Sequence, residues 1–599
     1  MNASTIARRI EVARGEAPAD FAILNANVFN VFTGEFLLRD VLIAEDVIAC
    51  VLPAGQASGQ TASQADSQTP RECLDAGGRY LVPGFIDAHV HMESSHLCPE
   101  EFTALLAANG VTGVVADPHE VCNVAGAAGL EYMLEASKDC PVRVFVMLPS
   151  CVPASHLTEA AHCIGAGDLE AWLGRERVIG LGEMMNYPGV CFRDAGVMEK
   201  LAMAEDYNRR HFGCLRGLGM DGHAPLVSGR DLQAYIAAGI SSDHECSTPE
   251  EARERLEAGM GIMLRQGSSA RNLLDLVPAL TPDTARQCML CTDDRNVGSL
   301  TRDGSINYLM RLLARDGRLR PADMLRMASF NTARHFNIRN LGAIAPGWLA
   351  DCALYPDLKD WRPDLVWCRG VLVAESGRAL RVPEKLPAPG LRDTVRLSSS
   401  AGPSDLRVPD KGRPVRVIGV VPRQLITRKL SAVLPAKDGA LLCDTERDII
   451  KAAVFERHRG TGKVALGFVQ GMGITKGALA STVAHDAHNL IVIGTNDEDM
   501  WLAAQTLRDC GGGQTVCVNG EVRALLPLPL AGLFSDAPAS EVVEQQEALH
   551  RAAAELGCPA DSDPLMTLAF LSLEVIPSLK LTAEGLVDVE AFQLAGLYD

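Results

Sequence analysis

Two histidines two positions apart end a short apolar run in Leu81–Ser95, LVPGFIDAHVHMESS. Leu81, Val82, Phe85 and Ile86 lead into His89 and His91, with Pro83-Gly84 interrupting the run. Side chains alternate along a strand, so these imidazoles point to one side. Two imidazoles at the carboxyl end of a strand can grip one divalent transition metal. A bare H-x-H is more often a pair of satisfied histidines, so further ligands must be sought. Glu183 closes VIGLGE, His223 lies in DGHAP, His244 in SSDHE, and Asp293 closes MLCTDD. His223 and His244 are 21 positions apart, the length of one compact βα unit. Four imidazoles and two carboxylates hold two metals if one carboxylate bridges. Asp117, His119 and Glu120 (ADPHE) end another predicted strand and should face the same cavity.

The elements that must position these groups follow from periodicity. From residue 81 to about 338, short β-rich runs alternate with amphipathic helical stretches. The strands include GVVA (113–116), VRVFVML (142–148), VIGLGE (178–183) and MLCTDD (289–294); the helices include 99–109, 126–137 and 196–212. Alternating βα units predict an α/β fold with a parallel sheet, and about 260 residues suit a closed (β/α)8 TIM-type barrel over 81–340. All six candidate ligands then lie at strand carboxyl ends, the face where such barrels keep their sites. Ser228 is expected to N-cap a helix with Asp231 as its capping-box partner, and Gly239 to end it. Residues 1–80 and 341–385 are β-patterned and should form one small β-sandwich from both flanks of the barrel. Proline-rich 386–414 reads as a linker, and 415–599 as a C-terminal α/β domain.

The chain has 599 residues, 47% hydrophobic and 22% charged, which is ordinary globular composition with length for about three to four domains. A net charge of −19 argues against nucleic acid or an anionic membrane surface as partner. The first twenty residues lack the apolar core of a signal peptide, and no apolar run approaches a membrane span. Eighteen scattered cysteines suit a reduced, cytoplasmic protein. The single C-x-x-C, Cys288–Cys291, lacks a second pair and reads as buried apolar filler. Residues 54–71, rich in Gly, Ser and Gln, should form a surface loop.

PGFIDAHVH resembles the first-strand signature of the amidohydrolase superfamily, metal-dependent hydrolases and deaminases on a (β/α)8 barrel. Glu183 stands where carbamylated members carry lysine, which argues against hydantoinase or dihydroorotase chemistry. AHVHMESS, ADPHEVCNVAG, GLGEMMNYPGV, GHAP, SDHE, TDDR, ASFNTARHFN and GAIAPGWLAD together resemble the bacterial-type adenine deaminases, as does ERHRGTGKVALGFVQGMGITKGALASTVAHDAHNLIVIGTNDEDM farther on. Gln266 departs from the acidic residue expected there. The resemblance implies deamination of adenine to hypoxanthine and ammonia, with a small-molecule purine base as partner. It implies two divalent metals, Mn(II) or Fe(II) ahead of Zn(II), held by His89, His91, Glu183, His223, His244 and Asp293. Glu183 would bridge them, and Asp293 would also shuttle a proton to the leaving amine. A homo-oligomer is expected.

The acid that protonates the purine ring is left open between Glu120 and Glu245, with Glu93 third. His119, Glu120 and Glu245 are candidates for substrate contact; each also suits a partner that orients a ligand histidine. Arg265 and Ser268 could face the mouth of the cavity but read first as helix-capping groups, and His485, Asp486 and His488 (AHDAHN) as a hydrogen-bonded loop anchor ahead of a second metal site. His91-Met92-Glu93 matches half of the zinc nucleobase deaminase signature, but P-C-x-x-C is absent, so that fold is rejected. The competing readings are an amidohydrolase acting on another purine or a cyclic amide, and a non-catalytic scaffold of the same fold. Scaffold relatives usually lose ligands, whereas this chain keeps all six.

Overall fold

The computed structural model describes residues 3–57, 70–213, 215, 217–422, 424–559 and 563–599. Most of the expected 54–71 loop, residues 58–69, lies outside them. The central region is built on eight parallel strands: β1 (Phe85–His91), β2 (Val111–Ala116), β3 (Arg143–Leu148), β4 (Val178–Met184), β5 (Gly219–Gly222), β6 (Ser242–Asp243), β7 (Gly261–Arg265) and β8 (Cys288–Cys291). FIDAHVH and VTGVVA are buried at every position, as expected of parallel strands covered on both faces. One ladder runs β5-β4-β3-β2-β1 and a second runs β6-β7-β8. They meet at Asp293–Asp294, just after β8, where Asp293 lies opposite Val90 and Asp294 opposite His91. At the other seam Ser241 N–H donates to Met220 O at 2.9 Å.

Helices Pro99–Ala108, Ala127–Ala136 and Ala195–Phe212 fall within a residue of the expected bounds. The last has Asp194 at its N-cap and Arg209, Arg210 and His211 in its final turn, charges that complement the helix dipole. The cap expected at Ser228 is corrected. Ser228 precedes helix Gly229–Ala237 but makes no side-chain cap bond. Gly229 is left-handed (φ +60°), and its N–H goes to Glu254 Oε1 at 2.8 Å instead. The capping box forms one helix later, where Glu251 N–H donates to Thr248 Oγ1 and Thr248 N–H to Glu251 Oε2. Gly239, at φ +98°, ends the earlier helix as expected.

Strands from both flanks share one nine-stranded sheet. Cys352–Tyr355 pairs antiparallel with Tyr80–Pro83, which pairs parallel with Phe21–Asn30. Ile23, Val28, Ile43, Leu81, Cys352 and Trp367 share its core. The edge strand Val47–Pro53 also bonds to the segment leading into Cys352–Tyr355, where Ile48 N–H donates to Trp348 O at 2.8 Å. Residues 386–414 contain two short 3-10 turns and bury Leu391, Val395, Leu406 and Val408. Beyond them an eight-stranded sheet carries helices Asp497–Asp509 and Ala539–Leu556, and a three-stranded sheet ends the chain. Among the described residues no helix is long and apolar enough to cross a membrane. Cys288 and Cys291 are buried and free, packed as apolar filler.

Candidate active site

The six expected ligands come together at the carboxyl ends of β1, β4, β5, β6 and β8. His89 and His91 project from the end of β1, and their Nε2 atoms lie 3.1 Å apart. Their tautomers are set from behind. His89 Nδ1 donates to Asp221 Oδ2 at 2.9 Å and His91 Nδ1 to the carbonyl of Asp117 at 3.0 Å. Both Nε2 atoms therefore turn toward each other and the cavity, an arrangement that suits a cation between them. Asp293 Oδ1 and Glu183 Oε1 each lie 3.2 Å from His91 Nε2 and 3.8 Å from His89 Nε2. Asp293 reaches this point from a left-handed backbone (φ +56°), a conformation that aspartate tolerates better than most residues.

Glu183 faces two ways. Its Oε1 looks to His89 and His91, and its Oε2 lies 2.7 Å from His223 Nδ1 and 3.3 Å from His244 Nε2. One carboxylate oxygen per cluster is the geometry of a bridging ligand. His223 Nε2 and His244 Nδ1 have no hydrogen-bond partner among the described residues. Burial opposes charge on His91, but Asp293 and Glu183 hold its pKa well above the ordinary imidazole range. Burial likewise opposes charge on His244, yet Glu183 and Asp293 push it up to about 10. The acidic cage thus attracts positive charge, and the donor set of imidazoles and carboxylates fits divalent transition metals.

Of the supporting aspartates only Asp117 was expected at the cavity. Asp221 orients His89; Asp87 accepts from Thr292 N–H and Oγ1, fixing the approach to Asp293. Asp117 Oδ2 accepts the Glu183 N–H at 2.8 Å. That approach needs Gly182, because a Cβ there would sit 2.2 Å from Asp117 Oδ2. Asp243 pairs with fully buried Arg255. A signal existed: DAH, DPH, DGH and DH each place an aspartate one or two positions before a histidine.

Around the cage, the expected contact residues separate by environment. Arg265 is not a helix cap: it is buried, forks both oxygens of Glu245, and donates from Nη1 to Asp293 Oδ2 at 2.7 Å. Ser268 does serve a helix start, where it accepts from Asn296 N–H and touches Ser299 Oγ. Burial pushes Glu245 up, but Arg265, His223 and His244 outweigh it and hold the carboxyl below its usual range. Burial, Glu93 and Asp294 push Glu120 the other way, well above that range. Glu93 itself accepts from Val121 N–H and is absent from the cavity lining. His119 lies between centres, with Nδ1 3.6 Å from Glu183 Oε1 and Nε2 3.6 Å from Asp486 Oδ1.

Asp486 belongs to the C-terminal domain, which closes the cavity from above. His485, Asp486, Leu425, Phe570, Leu573 and Ile576 line it together with the barrel residues. His485 stacks on Phe570 (centroids 4.3 Å, planes 19° apart). His488 accepts the Ala484 N–H on Nδ1 at 3.2 Å, a loop anchor as expected, and its Nε2 lies 3.4 Å from Glu120 Oε2. Glu120, His485 and His488 could also hold a metal ion. No spacing rule connects residue 486 to residue 119, so sequence reasoning missed this half of the pocket.

Two families match the chain: "Amidohydrolase family" over residues 80–373 and "Adenine deaminase C-terminal domain" over 424–593. The chain is 47% identical to "Adenine deaminase 2" of Carboxydothermus hydrogenoformans, with 98% of each chain covered. It is 42% identical to "Adenine deaminase" of Desulfatibacillum aliphaticivorans (98% of this chain, 99% of that one). It is also 41% identical to "Adenine deaminase" of Dehalococcoides mccartyi, with 99% of each covered.

Proposed function

The chain belongs to the adenine deaminases of the amidohydrolase family, and on that premise we propose that its cavity hydrolyses adenine to hypoxanthine and ammonia with the residues assigned below. The observation that carries the assignment is Glu183, one oxygen toward His89, His91 and Asp293 and the other toward His223 and His244. The two parallel ladders are read as one closed (β/α)8 barrel and the nine-stranded sheet as the expected β-sandwich. Residues 386–414 are read as the linker, with 415–599 as the C-terminal domain.

His89, His91 and Asp293 would hold one divalent ion and His223 and His244 the other, with Glu183 between; Mn(II) or Fe(II) is the first choice and Zn(II) suits the same donors. Such ions supply Lewis acidity and lower the pKa of water toward neutrality. The protein's own groups manage the protons. Water's oxygen adds to C6 of adenine and the C6–N6 bond breaks. Of water's two protons, one ends on N1 and the other on the departing amine.

Glu120 is the acid for N1. Its carboxyl is held protonated by burial beside Glu93 and Asp294, and its Oε2 has no hydrogen-bond partner among the described residues. Glu245 is the poorer acid, because Arg265 engages both its oxygens and keeps it ionised. It keeps a place in the lining, as does His119, for contact with the base. Asp293 is held ionised: burial opposes this, but Arg265 and the neighbouring imidazoles outweigh it. It can therefore take a proton from water and pass it to the amine, while the second proton restores Glu120.

The test is ammonia release and the ultraviolet change on adding adenine to metal-reconstituted protein, with guanine, adenosine and cytosine as controls. Adenine alone should turn over. Asp293→Asn should lower kcat by roughly 10³–10⁴-fold, and Glu120→Gln by roughly 10²–10³-fold with both metals retained. A protein that binds two metals but ignores adenine acts on another substrate. A Glu120→Gln variant of full activity moves the acid role to Glu245.

A further inference from the structure

The two walls of the cavity differ in what they leave unsatisfied. The barrel wall is dense with candidate ligands and ion pairs, and its bare atoms include His223 Nε2, His244 Nδ1 and Glu120 Oε2, on groups already given roles in the reaction. The C-terminal wall is apolar through Leu425, Phe570, Leu573 and Ile576, yet it holds two buried polar atoms, Asp486 Oδ2 and His485 Nε2, without a hydrogen-bond partner among the described residues. Both side chains are 3% exposed. A buried carboxylate oxygen left bare is costly, so such an atom marks a place where a ligand donor is meant to arrive.

We propose that Asp486 accepts a hydrogen bond from the ring N–H on the five-membered ring of the purine, and so selects the free base against its N9-substituted nucleosides. This rests on the adenine deaminase reading of the site. A carboxylate accepts only, so its partner must be a donor. The free base carries a ring N–H on its imidazole edge; a nucleoside has a sugar there and no such proton. The placement agrees. His119 spans from Glu183, in the cage where C6 must react, to Asp486, with 3.6 Å at each end. Asp486 thus faces the cage across one imidazole ring with a 3.6 Å gap at each end, on the side toward which a purine held by C6 extends its second ring. The stacked His485–Phe570 pair and the aliphatic side chains offer a flat apolar surface for its face.

The experiment measures adenine deamination and the binding of adenine and 9-methyladenine with the metal-loaded full-length protein, its Asp486→Asn form and its Asp486→Ala form. Metal content and thermal midpoint are recorded for each. For Asp486→Ala the KM for adenine should rise about 10- to 100-fold, the scale of a hydrogen bond to a charged group, with kcat changed less than about threefold. Asp486→Asn, nearly isosteric, should give a smaller rise in KM. The wild-type preference for adenine over 9-methyladenine should shrink about tenfold or more in Asp486→Ala. An adenine KM within twofold of wild type in both variants overturns the proposal. So does a fall in kcat at constant KM, which would place Asp486 behind His119 instead of on the base. If the wild type binds both metals yet leaves adenine untouched, the function itself has failed and this inference with it. Wild-type turnover with unaltered variants fails the inference alone.

Discussion

The barrel half and the C-terminal half of the cavity bury their polar groups in different surroundings, the first among charges and the second among apolar side chains. In the barrel half ion pairs are dense, Arg265 with Glu245 and Asp293, Arg255 with Asp243, His89 with Asp221, and the bare atoms include His223 Nε2, His244 Nδ1 and Glu120 Oε2, on groups already given roles in the reaction. In the C-terminal half, cavity-lining side chains are mostly apolar, and the two polar ones each keep one bare atom, His485 Nε2 and Asp486 Oδ2. The difference separates two tasks. A cage that must hold ions at fixed distances needs a rigid, saturated network, because the low dielectric magnifies every misplaced charge. A surface that receives a planar base needs apolar area and a few unspent hydrogen-bond sites.

The sharpest way to break this contrast is Arg265→Met. If the barrel half is a saturated network, the substitution strands Glu245 and Asp293 in a buried site and should cost about 3–5 kcal/mol in denaturant unfolding of the metal-free protein. A loss below about 1 kcal/mol would mean that water already shares the network. A finer probe is Asp221→Asn, which keeps the shape of the side chain but no longer anchors the His89 Nδ1–H as a carboxylate. Affinity for the first metal should fall about 10- to 100-fold, with the fold and the second cluster intact. Metal titration followed by elemental analysis reads this directly.

The smallest effect is expected on the C-terminal side. Lys580 is buried and donates to the carbonyls of Leu425 and Phe570, two residues of the apolar wall. Burial pushes its pKa down to about 7, and burial pushes Glu574 nearby up to about 8. Between their ordinary and folded values the two act in opposite senses. Glu574 holds a proton more tightly in the folded state, so its contribution to stability falls as pH rises from its ordinary value to about 8. Lys580 holds its proton less tightly when folded, so its contribution rises with pH from about 7 to the ordinary lysine range. Above pH 8, of these two only Lys580 still acts, and its own contribution to stability should climb by up to about 1.4 kcal/mol per pH unit. Lys580→Met should flatten that climb between pH 8 and 9.5 in urea unfolding. Equal slopes in both proteins would show that the ammonium is solvated and the wall looser than its packing implies.

The legible part of the site was the part built from strand ends. His89, His91, Glu183, His223, His244 and Asp293 could be assembled from order and spacing because parallel strands deliver their carboxyl ends to one face. The helices were equally readable, except at Ser228, where a left-handed Gly229 and the distant Glu254 overrode a local capping pattern. Arg265 was misplaced for a related reason. Its role depends on Glu245 and Asp293 lying on either side of it, from neighbouring strands.

By itself the sequence determined the chemistry available: the acceptor-rich ligand set, its order along the barrel, and the family to which the chain belongs. Periodicity and spacing are local properties, and regular strands carry them faithfully into space. Only the tertiary structure set Glu120 and Glu245 in opposite environments. Glu120 and Glu245 follow histidines in much the same way, in DPHE and DHE. One is packed against Glu93 and Asp294 and the other against Arg265, and pKa depends on neighbours and burial, not on neighbours in the chain. Only the tertiary structure, too, brought Asp486 to His119, because a contact across 367 positions (486 less 119) exists only once two domains have packed.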